Sequence, residues 1–220
     1  MSSKKNRKPK TKENLLSPEQ VDKVLSVISS QREDFVFKGI LYTGLRNSEF
    51  LHMNKRWINF NRDLLRVPGK QECNCKGCKY ARRKIRSEAN KKIDKRMELR
   101  LDGYWVPKTA SSERTIPIVD EAKEVFYPFF KKYDSILEVF PFRQYINNIL
   151  SRLQRKSGVK LFPHCLRGTF ATMLAIKGFS PYEIQEALGW ADIGVAMHYI
   201  KLSGAGLKNA FEEKWARVYD

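Results

Sequence analysis

The sequence contains no long hydrophobic run. No apolar stretch approaches the ~18–20 residues that a membrane-spanning helix needs. The N-terminus is basic, but it lacks the apolar stretch of a secretory signal. These two absences exclude a membrane-embedded protein and a secreted precursor from the expected classes. We therefore expect a soluble, intracellular protein.

Acidic residues are scarce relative to basic ones. The 220-residue chain has 24 Asp and Glu against 42 Lys and Arg, which gives a formal net charge of +18. Such an excess predicts a polyanionic partner, with nucleic acid first and an anionic membrane surface second. No basic amphipathic helix with a clean apolar face supports the membrane alternative. Charge by itself indicates binding and says nothing about catalysis.

Cysteine is rare, and three of the four cysteines are clustered as Cys73, Cys75 and Cys78, apart from Cys165. Inside a cell such a cluster indicates metal rather than disulfides. Three thiolates leave a tetrahedral zinc ion one ligand short. His52, or a residue of another chain, could supply the fourth ligand. The alternative to a structural zinc site is a loop of reduced, unliganded thiols.

Hydrophobic spacing predicts a mainly α fold with a small antiparallel β-sheet, of the α+β class. Residues 1–14 read as a disordered basic arm that either follows a phosphate backbone or acts as a solubilising tail. The folded part starts at residues 17–20, a capping box, and runs to residue 220. Residues 57–60 and 64–67 are predicted to form one strand pair, and residues 104–108 and 114–118 a second. A helix from residue 120 is expected to be interrupted or to end near Pro128.

Residues 71–100 show neither helical nor strand periodicity. After the cysteines this segment is strongly basic, which fits either a solvated insertion or an excursion that faces DNA. The candidate DNA-binding side chains are Lys79, Arg82, Arg83, Lys84, Arg86, Lys91 and Lys92.

A phosphate-directed set of side chains follows further along the chain. His164 and Arg167 lie three residues apart on a predicted helix, so they share one face. A guanidinium fits the oxygens of a phosphate, and an imidazole can exchange a proton near neutral pH. Tyr199 could then act as a nucleophile. Arg46 starts another helix after a glycine turn, where it binds an anion or simply pairs with Glu49. Spacing alone also fits an ordinary basic helix with an aromatic run after it.

Five segments together resemble the catalytic domain of the tyrosine recombinases, the phage integrase family. The resemblance covers about residues 15–215, with the insertion at 71–100 outside it. Residues 43–49 resemble the first arginine box, 108–118 the lysine hairpin and 164–171 the second arginine box. Residues 188–190 stand in place of the family's Leu-Gly-His, and Tyr199 follows nine residues after Trp190.

The resemblance implies a site-specific recombinase that works without ATP or a divalent metal. Tyr199 would attack a DNA phosphorus, form a 3′-phosphotyrosyl bond and release a 5′-hydroxyl. Arg46 and Arg167 would bind the non-bridging oxygens. Lys108 would protonate the leaving oxygen, and His164 would assist proton transfer from the tyrosine. The expected catalytic residues are Arg46, Lys108, His164, Arg167, Trp190 and Tyr199.

Three departures from the family pattern bear on this expectation. Trp190 replaces the usual histidine, so its expected role is positioning and packing. Gly168 stands where a second histidine is frequent. Lys70 competes with Lys108 for the lysine role, although the Thr-x-x-Ser-x-Arg pattern at 109–114 favours Lys108.

The resemblance also sets expectations about domains and partners. The family's N-terminal core-binding domain is expected to be absent. Double-stranded DNA is the expected partner, in the cytoplasm or nucleoid of a prokaryotic host, with a homotetramer on DNA and a monomer or weak oligomer without it. A last helix over residues 207–217 would pack on its own domain or on a neighbouring protomer. The alternatives are a topoisomerase of type IB chemistry and a non-catalytic DNA-binding module of the same fold.

Overall fold

A computed structural model describes residues 14–88 and 92–204. The basic arm up to residue 13, Lys91 and the predicted helix over 207–217 lie outside the described residues. The helices are α1 (Pro18–Leu25), α2 (Gln31–Leu41), α3 (Asn47–His52), α4 (Lys76–Ser87), α5 (Lys95–Leu101), α6 (Asp120–Lys132), α7 (Arg143–Ser157), α8 (Pro163–Ile176), α9 (Pro181–Leu188) and α10 (Ile193–Ser203). The strands are β1 (Ile58–Asn59), β2 (Leu64–Val67), β3 (Gln71–Glu72), β4 (Tyr104–Trp105) and β5 (Arg114–Pro117). The α+β class is thus as expected.

Capping boxes mark the starts of two helices, and the one predicted at residues 17–20 is confirmed. The Ser17 hydroxyl accepts a hydrogen bond from the backbone N–H of Gln20, and the Gln20 side chain accepts one from the N–H of Ser17. Ser180 and Glu183 form the same capping box at α9. Each pair satisfies two backbone donors that the first helical turn leaves without partners.

The small sheet is antiparallel, with the strand order β1-β2-β5, and β3 and β4 form a separate two-stranded ladder. The predicted pairing of residues 104–108 with 114–118 is therefore wrong. In its place Trp105 lies opposite Gln71, and Ile116 lies opposite Leu65. Because this register buries both Ile116 and Leu65 in the core, hydrophobic packing decides the pairing rather than proximity in the chain.

Helix α6 continues through Pro128, against the predicted interruption. A proline removes one backbone hydrogen bond from a helix, so burial on the same helix must compensate. Phe126 and Phe130 are buried on either side of it. Phe35 from α2 packs against Phe126 and stacks on Phe129, with ring centroids 5.7 and 4.1 Å away.

The insertion at 71–100 is ordered over its described part, contrary to the absence of pattern in its sequence. It holds β3, α4 and α5. The only residue of α4 that is buried is Cys78. Cys78, Ala81 and Ile85 recur at helical spacing between the cations of α4, so the helix has a narrow apolar stripe that the prediction of no periodicity overlooked.

The buried side chains form two hydrophobic clusters between the helices. The larger one contains the side chains Phe37, Phe50 and Phe126. The smaller one joins α8, α9 and α10 and contains Leu188 and Tyr199. Helix α8 is buried over most of its length and contributes to both clusters. Within the described residues we find no helix of a length and apolarity that would let it cross a membrane.

Candidate active site

All six residues predicted to be catalytic line one cavity of about 370 Å³. They come from five separate parts of the chain: the N-cap of α3, the turn before β5, α8, the turn after α9, and α10. The lining includes Arg46, Lys108, His164, Arg167, Trp190 and Tyr199, together with Gly168 and Asp192. Arg46 and Arg167, which the resemblance expects to act on the same phosphate, therefore face a common concavity.

Arg46 is the N-terminal capping residue of α3 and is held on three sides. Its Nη1 donates to Glu49 Oε1 at 2.6 Å and to Ser112 Oγ at 2.9 Å. Its Nη2 donates to the Gly189 carbonyl at 3.0 Å. The ion pair with Glu49 was an alternative to an anion-binding role. The structure shows the pair while Arg46 also lines the cavity, so the two interpretations are compatible.

Arg167 is buried within α8, with 4% of its surface exposed. Its Nη1 donates to the Gly44 carbonyl and its Nη2 to the Leu188 carbonyl. Burial lowers the pKa of this guanidinium well below its ordinary value, and the nearby Arg46 charge lowers it further, while Glu49 opposes both. Two neighbouring carbonyls, those of residues 188 and 189, therefore hold the two guanidiniums of the site.

Gly189 makes this arrangement sterically feasible. It ends α9 in the left-handed region, at φ +58°. A Cβ at this position would lie 2.6 Å from the Ser111 carbonyl oxygen and 3.0 Å from Arg114 Cδ. Only a residue without a side chain fits here without a shift.

Glu49 is a buried carboxylate that joins two arginines. It bonds Arg46 through Oε1 and Arg114 Nη2 through Oε2, the latter at 3.0 Å. Burial tends to raise its pKa, but Arg114, Arg167 and Arg46 outweigh burial and hold the pKa below its ordinary value. Arg114 is further fixed by the carbonyls of Ala187 and Ser112, both at 2.8 Å.

Tyr199 lies on α10 and is 8% exposed. Its ring stacks on Trp190, with centroids 5.3 Å apart and planes 10° apart. Arg167 Cζ lies 5.6 Å from the centroid of the Trp190 ring. Burial raises the pKa of the Tyr199 phenol, and the Arg167 charge partly offsets the increase. The phenol is thus protonated at neutral pH.

Of the six predicted catalytic residues, His164 and Lys108 are the exposed ones. Desolvation lowers the pKa of His164, and the charges of Arg167, Lys108 and Arg46 lower it further. Lys108 follows β4 in the turn toward β5. Lys70 instead places its Nζ 4.9 Å from the Tyr104 ring centroid. Of the two lysines, Lys108 is therefore the one in the cavity wall.

The candidate DNA-binding residues occupy one helix and the segment after it. On α4 four of them are exposed, namely Lys79, Arg83, Lys84 and Arg86, and Lys92 is exposed beyond the helix. Arg82 is half-buried and donates to the Cys73 carbonyl at 3.0 Å and to Asn74 Oδ1 at 2.9 Å. This residue therefore holds its own loop, unlike the exposed cations.

The three clustered cysteines and His52 come together as well. The ligand atoms of His52, Cys73, Cys75 and Cys78 all lie within 4.8 Å of one another. Among the described residues, these four form the one group whose side chains could hold a metal ion. None of the four lines the cavity that contains Tyr199.

Sequence reasoning gave no role to Glu49, Ser112 or Arg114. Glu49 entered only as a competing partner of Arg46. Ser112 and Arg114 belong to the Thr-x-x-Ser-x-Arg pattern at 109–114, which served only to choose between lysines. In the structure the pattern supplies partners for the arginine box: Ser112 Oγ accepts from Arg46, and Arg114 pairs with Glu49. That pattern was the signal that could have revealed Ser112 and Arg114.

Comparison with known proteins agrees with this geometry. The family model described as the phage integrase family matches residues 14–205. The tyrosine recombinase XerA of Pyrococcus furiosus is 29% identical over 206 residues, which are 93% of this chain and 63% of the relative. The XerA of Saccharolobus solfataricus is 25% identical over 87% of this chain and 53% of its own length. The chain thus spans less than two thirds of these relatives.

Solved structures give the same fold at lower identity. The integrase of transposon Tn1549, in complex with transposon right end DNA, aligns with a TM-score of 0.65 and 21% identity. The alignment covers 97% of this chain and 68% of that one. The crystal structure of XerA recombinase aligns with a TM-score of 0.63 and 16% identity, over 91% and 64% of the two chains.

Proposed function

We propose that this chain, which belongs to the phage integrase family, is a site-specific DNA recombinase that cleaves and rejoins strands through a 3′-phosphotyrosyl intermediate. The observation that carries the proposal is the convergence of two arginines, a lysine, a histidine and a tyrosine on one cavity. Residues 15–220 form the catalytic domain in this proposal, with residues 71–100 as an insertion.

Tyr199 is the nucleophile. Its oxygen forms a bond to the DNA phosphorus while the bond from phosphorus to the 5′-oxygen breaks. Burial keeps the phenol protonated, so the attack needs a proton acceptor. His164 suits this role because its lowered pKa leaves the imidazole neutral. Lys108 gives a proton to the departing 5′-oxygen.

Arg46 and Arg167 stabilise the charge that develops on the non-bridging oxygens in the transition state. Each is fixed beforehand, Arg46 by Glu49 and Ser112, and Arg167 by two backbone carbonyls. Little reorganisation is then needed when the phosphate arrives, which is the condition for a large electrostatic contribution. The phosphotyrosyl bond retains the energy of the ester, so the 5′-hydroxyl of a second strand reverses the reaction and releases Tyr199.

No divalent metal takes part in this chemistry, since the arginines and Lys108 supply the positive charge that a metal would otherwise provide. A zinc ion bound through Cys73, Cys75 and Cys78 would be structural. The partner is double-stranded DNA. Recombination joins strands from two duplexes, so we propose a homotetramer that assembles on DNA, with the exposed cations of α4 on the phosphate backbone.

The test uses duplexes nicked next to the scissile phosphate, so that the released fragment diffuses away and the covalent adduct accumulates. A pool of such duplexes, made from the DNA that flanks the coding sequence, is incubated with the parent chain and analysed on denaturing gels. We expect a protein–DNA adduct from the parent chain and none from Tyr199→Phe. Tyr182→Phe is the matched control, because Tyr182 is exposed on α9. EDTA should not reduce the amount of adduct, provided that the protein stays folded in its presence.

The outcomes separate the alternatives. An adduct that persists in Tyr199→Phe contradicts the assignment of the nucleophile. DNA binding without an adduct on any duplex indicates the non-catalytic module. An adduct together with relaxation of supercoiled plasmid, without strand exchange between two duplexes, indicates the topoisomerase.

A further inference from the structure

The three clustered cysteines of the insertion and His52, the last residue of α3, form a group of four possible metal ligands. His52 Nε2 lies 3.3 Å from Cys78 Sγ and 3.5 Å from Cys75 Sγ, and all four ligand atoms lie within 4.8 Å of one another. A tetrahedral zinc ion with Zn–S and Zn–N bonds of about 2.3 and 2.0 Å places its ligand atoms between about 3 and 4 Å apart. The side chains are therefore grouped at the scale of a single zinc ion.

His52 is oriented toward the thiols by its other ring nitrogen. Its Nδ1 lies 2.7 Å from the Ser48 carbonyl, which can only accept, so Nδ1 carries the proton and the Nε2 lone pair points into the cluster. Trp105 stacks on the imidazole at 5.0 Å, and its indole N–H donates to Ser48 Oγ at 3.0 Å. Fixing a histidine through a backbone carbonyl in this way is typical of metal ligands.

The backbone around the cysteines is fixed too. The N–H of Cys73 donates to the Gly103 carbonyl at 3.0 Å, and the N–H of Cys78 donates to Cys75 Sγ at 3.4 Å. Arg82 holds the Cys73 carbonyl. Three thiols cannot all pair as disulfides, and the cysteines of the described chain are all free. A set of three sulfurs and one imidazole selects zinc among the common divalent metals.

We infer that His52, Cys73, Cys75 and Cys78 bind one structural zinc ion, which attaches the insertion to α3. His52 is the last residue of α3, whose N-terminal cap is Arg46. Cys75 caps α4, and Cys78 is the residue through which α4 is buried. Because apolar burial does so little for α4, metal bonds supply its attachment. The cations on α4 are then held in place beside the catalytic domain, a consequence for DNA binding that depends on the proposed function.

The first experiment measures metal rather than activity. The purified parent chain should contain about one zinc per chain by elemental analysis. Replacement by cobalt should give the thiolate charge-transfer and intense d–d bands of a tetrahedral site. His52→Ala and Cys75→Ser should lose zinc to a chelator that the parent chain withstands, and His52→Cys should restore retention with a fourth thiolate. Cys165→Ser is the matched control, since Cys165 is buried outside the cluster.

Two results would overturn the inference. One is a folded parent chain that takes up no zinc when the reduced apoprotein is titrated with zinc chloride. The other is His52→Ala holding zinc as tightly as the parent chain. Amide hydrogen exchange of residues 76–87 tests whether zinc attaches α4 to α3. Removal of zinc should accelerate this exchange, and an unchanged exchange rate would contradict the attachment.

Metal content is measured without DNA and equally in Tyr199→Phe, so it stands apart from the proposed function. A zinc-loaded chain that never forms a DNA adduct would refute only the recombinase. A metal-free chain that forms the adduct would refute only the zinc site.

Discussion

The indole of Trp190 lies flat against the phenol ring of Tyr199, with ring centroids 5.3 Å apart and an angle of 10° between the planes. An indole cannot shuttle a proton, so its contribution must come from contact and from its one N–H. Arg167 Cζ lies 5.6 Å from the centroid of the same indole, so Trp190 contacts both the proposed nucleophile and a cation of the site. We therefore predict that Trp190 positions the tyrosine for attack.

Trp190→Ala should reduce the single-turnover rate of adduct formation by about 10- to 100-fold, because loss of the stack lets the nucleophile leave its attacking position. Trp190→Phe keeps an aromatic face and should retain most of the rate. Gel-shift titrations should show unchanged DNA affinity for both variants. Equal rates for the alanine and phenylalanine variants would contradict a role that depends on stacking.

Arg167→Lys should lower adduct formation by about 100- to 1,000-fold with little loss of DNA affinity. A lysine cannot donate to the Gly44 and Leu188 carbonyls with a fixed planar fork while it also faces a phosphate. Single-turnover cleavage and gel-shift titration measure the two effects separately. Arg62→Lys, an exposed residue, is the control and should leave both quantities unchanged. A DNA affinity that falls as far as the rate would indicate a binding role instead.

Glu49→Gln should destabilise the fold by about 3–5 kcal/mol at neutral pH, because it leaves the buried Arg114 and the largely buried Arg46 without their carboxylate. Urea unfolding measures this change. The exposed Glu124, which pairs with Lys38, is the control, and Glu124→Gln should cost less than about 1 kcal/mol.

The effect of Glu49 should depend on pH in one direction. Its folded-state pKa lies below the ordinary 4.5, so its stabilisation is complete above pH 4.5 and is lost as the pH falls through the folded-state pKa. The difference in unfolding free energy between parent and Glu49→Gln should therefore shrink in acid. A difference that stays constant would contradict the ion pairs as its source.

His164 should titrate below 6.5 in the free protein, because desolvation and three nearby cations disfavour its charged form. The imidazole proton shifts in NMR spectra, assigned with His164→Asn, give the midpoint. Lys108→Ala removes one of the cations and should move the midpoint upward. If His164 is the proton acceptor, the acid limb of the cleavage rate lies below pH 6.5 as well. A midpoint at or above 6.5 would contradict this environment.

The sequence predicts those features that depend on neighbouring residues. The capping box predicted at residues 17–20 needs only a span of three residues, and it is present. The partner of β5 depends on which register buries Ile116, and this information lies in β2, some fifty residues earlier. Helix α4 was not predicted because its one buried residue, Cys78, contacts His52, which lies 26 residues earlier in the chain. Motif spacing finds the six side chains that line the cavity, whereas the ion pairs and hydrogen bonds among Arg46, Glu49, Ser112 and Arg114 depend on how the chain packs.

Gly189→Ala should impair cleavage more than it impairs stability. The new Cβ would lie 2.6 Å from the Ser111 carbonyl oxygen, so the turn whose carbonyls hold Arg46 and Arg167 must shift. Gly178→Ala is a matched control, because Gly178 has a φ of +87° and nothing within 4 Å of its added Cβ. Both variants carry the cost of a side chain at positive φ, about 1 kcal/mol. Only Gly189→Ala should also slow adduct formation, by tenfold or more, as about 1 Å of misplacement costs on the order of 100-fold. Equal cleavage rates in the two variants would show that the carbonyls after α9 do not set the positions of the arginines.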